Sequence, residues 1–195
     1  MATFITYPLF GAGAAYAISQ PQPLTRRFIL LSTFCQWIPD INTLSYLLPI
    51  AETHSLGHRG LTHSVLFAFV LAFAIVRLLY RQFTPSHWAY WGLHLWFFLL
   101  TLSRGLLDAL VDSHLGAAFL WPFDTQRYLF TWRPLLDVPI DISMLTSLHF
   151  WYAQLVELQF ISLLLAILFI LKQLMIGPAH RLSSPSSIKS LVADS

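Results

Sequence analysis

Apolar runs separated by short polar breaks cover most of the chain. The two strongest are Ser64–Tyr80, SVLFAFVLAFAIVRLLY, and Ala153–Ile176, which contains ISLLLAILFIL. A helix needs about 20 mainly apolar residues to cross a bilayer, with a wide range. Tyr90–Val111, YWGLHLWFFLLTLSRGLLDALV, is a third such run and carries an internal Arg and Asp. Two earlier runs are weaker. Phe4–Ile18 is short and rich in Gly and Ala, which suits close helix packing. Leu24–Ile38 is interrupted by Arg26 and Arg27 and stops at Pro39-Asp40. The pattern predicts an all-α integral membrane helical bundle with about five transmembrane helices. A rival reading continues the second helix through Pro39 to Ala51.

The helical domain covers residues 1–176 and includes a segment, 112–152, rich in Pro and aromatics, that lies over the membrane face rather than crossing it. Residues 177–195 are polar and Ser-rich and read as a flexible tail. There is no internal repeat.

Composition agrees with a membrane protein. Hydrophobic residues make up 56% and charged residues 10%, against about 25% charged in ordinary soluble domains. Net charge is +2, too small and dispersed for a nucleic-acid surface. The single cysteine, Cys35, excludes an intramolecular disulfide and a Cys-based metal site. The N-terminus lacks the basic region of a signal peptide, so the first apolar segment is expected to be retained.

Five spans place Arg26, Arg27, Arg77, Arg81, Lys172, Arg181 and Lys189 on one side and Arg59, Arg127 and Arg133 on the other. The first side is then cytoplasmic. The same topology brings Tyr7, Asp40, the cluster HSLGHRGLTHS (54–64) and Asp108 to the opposite, non-cytoplasmic face. Asp137, Asp141, His149 and Glu157 fall on that side too, and Asp137 and Asp141 read as solvated loop residues.

His58 and His63 would stand about 140° apart on a continuous helix. Gly60 permits a turn between them, and Thr62 is a candidate N-cap for the third helix. Two readings stay open: imidazoles aimed inward at a metal, or histidines at a wet interface with Arg59 meeting lipid phosphate. Arg104 and Asp108 share a helix face as an i, i+4 pair. A charge inside a span costs roughly 2.5–3.5 kcal/mol on insertion scales, so each needs a partner or a polar cavity. His94 lies about 21 Å from Asp108 along the helix axis and is expected at an interface.

The elements IPDIN (38–42), GHRGLTHS (57–64), LSRGLLDAL (102–110) and WPFD (121–124) together resemble the membrane-bound metal-dependent hydrolases of the LexA-regulated, YdjM-like inner-membrane family. The resemblance spans about residues 4–141. It implies a bacterial inner-membrane location and a divalent metal, Zn, Mn or Fe, held by Asp40, His58, His63 and Asp108 as the catalytic set. Arg59 and Arg104 are the candidate substrate-binding residues. Three positions depart from the family pattern: Tyr7 stands for an early His, Asn42 for a second Asp, and Arg104 for the His four residues before Asp108. Arg cannot serve as a metal ligand. Asp112 and His114 are the nearest residues that could compensate.

Three functions follow. The first is metal-dependent hydrolysis of an ester or phosphoester near the membrane surface, on a small or lipid-derived substrate. The second is a non-catalytic membrane binding or scaffold protein, in which Arg104 replaces the metal charge by pairing with Asp108 and Asp40. The third is a small transporter or proton relay. No serine or cysteine arrangement supports covalent catalysis.

Overall fold

A computed structural model describes residues 6–19, 26–47, 54, 57–138 and 146–182. Asp141 and most of the 177–195 tail lie outside them. The described helices are α1 (Thr6–Ser19), α2 (Arg26–Trp37), α3 (Val65–Leu79), α4 (Trp88–Ala109) and α5 (Leu148–Leu182). A two-residue parallel pair, β1 (Val111–Asp112) with β2 (Leu135–Leu136), is the only sheet among the described residues. The fold is all-α.

Each expected helix is present within a few residues of its expected start and end, apart from one earlier start and one later end. α5 begins five residues before the apolar run because Ser147 Oγ accepts from the backbone N–H of Phe150, 3.1 Å, and so opens the helix in polar sequence. It ends at Leu182, six residues past Ile176. Residues 148–152 thus belong to α5 and not to the surface segment. The fate of the second helix lies between the two readings. The α-helix ends at Trp37, and a 3₁₀ helix continues directly from Ile38 to Leu47. Pro39, which has no N–H to give, sits at the change of winding.

Among the described residues, one stretch, Leu148–Leu174 of α5, is long and apolar enough by itself to cross a bilayer. α3 is apolar but shorter, and α4 is 22 residues long and contains Arg104 and Asp108. α1 and α2 have only 14 and 12 residues.

α1 packs on α2 and α5, and α4 on α2 and α3. Tyr7, Phe10, Cys35, Val76, Phe97, Leu107 and Ile161 are part of the core at their junction. Gly11 allows the closest approach: a Cβ there would stand 2.5 Å from the carbonyl oxygen of Ser32. Polar bonds lock α2 to α4. Gln36 Nε2 donates to Leu100 O at 2.6 Å and to Ser103 Oγ at 2.7 Å, and Trp96 Nε1 donates to Ser32 Oγ at 3.0 Å. Buried in apolar surroundings, such groups must find partners within the protein.

Cations gather at one end of the helices. Arg27 stacks over Tyr80, 5.0 Å from the ring centroid, joining the start of α2 to the end of α3. Lys172 Nζ donates to Ala17 O, 2.6 Å, joining α5 to the end of α1. The polar residues of the candidate site lie at the other end.

Candidate functional site

The site is assembled from short irregular elements set against one helix. Asp40 comes from the 3₁₀ helix Ile38–Leu47, directly after α2. His63 is the last residue of a single 3₁₀ turn, Leu61–His63. Arg104 and Asp108 lie one turn apart near the end of α4. Gly105 lets the His63 turn reach α4: a Cβ at Gly105 would lie 2.9 Å from His63 O and 3.1 Å from the Phe119 ring.

Thr62 does not cap α3. Ser64 does, its Oγ accepting from Phe67 N–H at 3.1 Å. The Thr62 hydroxyl is used elsewhere: it donates to Pro39 O at 2.7 Å and ties the histidine turn to the Asp40 segment. Asn42 does related work, its Nδ2 donating to Gly57 O at 3.0 Å.

Asp40, His63 and Asp108 each present a ligand-type atom within 4.8 Å of the other two, and all three are buried. His63 Nε2 lies 2.8 Å from Asp108 Oδ2 and 3.7 Å from Asp40 Oδ1. The 2.8 Å approach is short but not aligned as a hydrogen bond, and neither atom has an aligned partner among the described residues. The three side chains thus bring ligand-type atoms close together in a buried setting.

Arg104 stands against both carboxylates. Its Nη2 and Nε donate to Asp40 Oδ1 and Oδ2 at 2.7 and 3.2 Å, and its Nη1 donates to Asp108 Oδ1. Tyr7 covers the guanidinium, with its ring centroid 4.0 Å from Arg104 Cζ. The Tyr7 hydroxyl is buried without a hydrogen-bond partner among the described residues. Arg104 itself is fully buried.

Arg59 is also buried and does not face lipid. Its Nη1 donates to Ser113 Oγ and to Leu115 O, and its Nε lies 3.8 Å from Asp108 Oδ2. Its backbone is left-handed, with φ 57°, a conformation that is costly for a residue with a Cβ and is found where tertiary contacts enforce it. The 111–127 segment supplies those contacts. Ala118 N–H donates to Arg59 O at 3.0 Å, and Arg127 Nη1 donates to His58 O at 2.9 Å.

The His58 and His63 rings meet edge to face with centroids 6.2 Å apart. Burial pushes the His58 imidazole down to about 2, so it is neutral at physiological pH. His58 thus borders the cluster without joining the three convergent atoms.

The other candidates separate from the site. Asp112 is exposed and pairs with Arg133 at 3.4 Å, and His114 is exposed as well. His94 Nδ1 contacts Tyr90 O at 2.8 Å, and its ring packs at tilted angles against those of Tyr90, Trp91 and Phe73. Asp137 lies in the segment after β2, where its carbonyl faces His149 Nε2 at 3.2 Å. Glu157, expected on the site's side of the helices, is fully buried on α5. The sequence did carry a signal for it, a lone carboxylate inside an otherwise apolar stretch.

The donor set, one imidazole nitrogen and two carboxylate oxygens, matches the ligand types of zinc, manganese or iron. The charge fits poorly. Two carboxylates already face two guanidiniums that stay protonated, so a divalent ion would enter beside two fixed positive charges.

The YdjM inner membrane protein family matches residues 1–179. Inner membrane protein YbcI of Escherichia coli (strain K12) is 32% identical over 154 residues, covering 75% of this chain and 83% of that relative. No solved structure matches the chain. The segments that build the buried cluster, from Tyr7 to Asp108, all fall inside the matched range, and the chain belongs to the YdjM inner membrane protein family.

Proposed function

We propose that this chain is a non-hydrolytic inner-membrane protein, a binding or scaffold member of its family, in which the Arg104 guanidinium takes the place of a metal cation. The observation that carries this reading is the contact of one fully buried guanidinium with both Asp40 and Asp108. A buried cation needs matched anions, and removal of either side leaves an uncompensated charge. The polar centre then serves to hold α2, the histidine turn and α4 in one arrangement. The helices form a five-span bundle with the site toward the non-cytoplasmic face. The cationic ends joined by Arg27–Tyr80 and Lys172–Ala17 support that orientation.

A second reading is favoured by the unaligned convergence of His63 Nε2 and Asp108 Oδ2. Here the chain is a metal-dependent hydrolase, with Asp40, His63 and Asp108 as ligands of Zn, Mn or Fe and His58 beside them. The metal would supply activated water for cleavage of an ester or phosphoester.

Metal analysis of the full chain, purified in detergent from cells supplied with zinc and manganese, separates the two. The first reading expects well under one equivalent in the native protein and a gain of metal in Arg104→His. One equivalent in the native protein that disappears in His63→Ala would overturn it in favour of the second.

A further inference from the structure

The 111–138 segment has two faces of different character. Val111, Ser113, Leu115, Ala117 and Ala118 are buried over the polar cluster. Beyond them the chain turns outward and exposes large apolar side chains: Leu120, Phe123 (89%), Phe130 and Trp132 (65%). With Leu129, exposed as well, five such groups within thirteen residues make an unusual loop for bulk water.

The backbone fixes where this surface sits. Val65 N–H donates to Phe119 O at 2.9 Å, at the start of α3. Phe130 N–H donates to Ala109 O at 3.1 Å and Leu135 N–H to Leu110 O at 3.2 Å, at the end of α4. The 22 residues of α4 rise roughly 33 Å at 1.5 Å each, close to the thickness of the hydrocarbon core. On the five-span arrangement of the proposed function, on which this inference rests, its two ends mark the two bilayer boundaries. Trp88 and Trp91, exposed at its first turn, mark one of them. The segment bonded to its last turn lies at the other. Trp132 also packs on Phe160 of α5, ring centroids 6.2 Å apart, so its apolar surface runs on into the exposed face of the helix best suited to cross the membrane.

We propose that residues 120–132 lie in the headgroup–acyl boundary of the leaflet on the site's side, with Leu120, Phe123, Phe130 and Trp132 seated in lipid. The roof of the polar cluster is thus a monotopic element of the membrane surface. Aromatic side chains favour that depth because an apolar ring body meets acyl chain while polar neighbours meet headgroups. Thr125 and Gln126, exposed between the apolar positions, face the headgroups and water. The inference does not depend on whether the cluster holds a metal.

Single cysteines at 123, 126, 130 and 132, placed in a Cys35→Ala background and spin-labelled, report depth in vesicles of phosphatidylcholine and phosphatidylglycerol. The expected result is an oxygen-to-nickel-chelate accessibility ratio severalfold higher at 123, 130 and 132 than at 126. Equal, nickel-accessible behaviour at all four positions would overturn the proposal and leave the surface facing water or a protein partner. The native chain gives an independent reading where the background misfolds. Brominated lipid should quench its tryptophan fluorescence less after Trp132→Phe, and unchanged quenching would count against insertion.

Discussion

The Arg104 guanidinium grips the Asp40 carboxylate with two donors, Nη2–Oδ1 at 2.7 Å and Nε–Oδ2 at 3.2 Å, across 64 residues of sequence. This contact joins α4 to the segment that leaves α2, and the same guanidinium meets Asp108 one turn further along α4. One buried cation therefore serves two carboxylates delivered by different parts of the chain.

Arg104→Ala leaves both carboxylates buried without that charge. Breaking a buried pair in this way costs about 3–5 kcal/mol. Thermal unfolding in detergent should fall accordingly, and adding Asp40→Asn should recover part of the loss. Additive losses in the double variant would show that the two side chains do not act as a pair.

Tyr7 contributes its ring more than its hydroxyl. The ring lies over Arg104 at 4.0 Å, while the oxygen is buried with no partner among the described residues. Tyr7→Phe should be neutral or stabilising, since an unmet buried hydroxyl costs about 1–3 kcal/mol. Tyr7→Ala should cost about 3–5 kcal/mol, as large aromatic truncations do. Equal losses in the two variants, read from unfolding midpoints, would assign the hydroxyl a partner.

Gly105→Ala tests how the histidine turn is seated. The new Cβ would stand 2.9 Å from His63 O, which is backbone and cannot swing aside. Overpacking of this kind costs about 1–3 kcal/mol. The variant should unfold earlier than the native chain, whereas Gly92→Ala, where a Cβ meets only the Trp88 ring at 4.0 Å, should not.

His58 gives the fold an acid limit. Burial holds its folded value near 2, against 6.5 for an unperturbed histidine. Below about pH 6.5 the unfolded chain binds a proton that the folded chain refuses, so stability is full above that pH and declines as pH falls. Unfolding midpoints measured from pH 8 down to pH 5 should drop, and His58→Phe should flatten the decline. An identical slope in that variant would place the acid sensitivity elsewhere.

The sequence by itself determined the helices and the direction of the polar residues. Continuous apolar runs leave α3 and α5 no alternative to helix, and the breaks between runs put Tyr7, Asp40, His63 and Asp108 toward one end of the fold. An i, i+4 spacing likewise placed Arg104 and Asp108 together before any tertiary contact was considered. Tertiary structure decided the details that depend on competition between partners. Thr62 and Ser64 are both able to cap α3, and packing gave Thr62 to Pro39 O and the cap to Ser64. Arg59 is exposed in a simple interfacial reading, but the 111–119 segment folds over it and takes its donors. The topology gave Glu157 a side of the fold, and only the packing of α5 against α1 shows that it is buried. Periodicity and spacing express constraints within one element. Which distant group satisfies a buried charge or hydroxyl is settled only when elements meet, because the cost of leaving it unsatisfied arises only once water is gone.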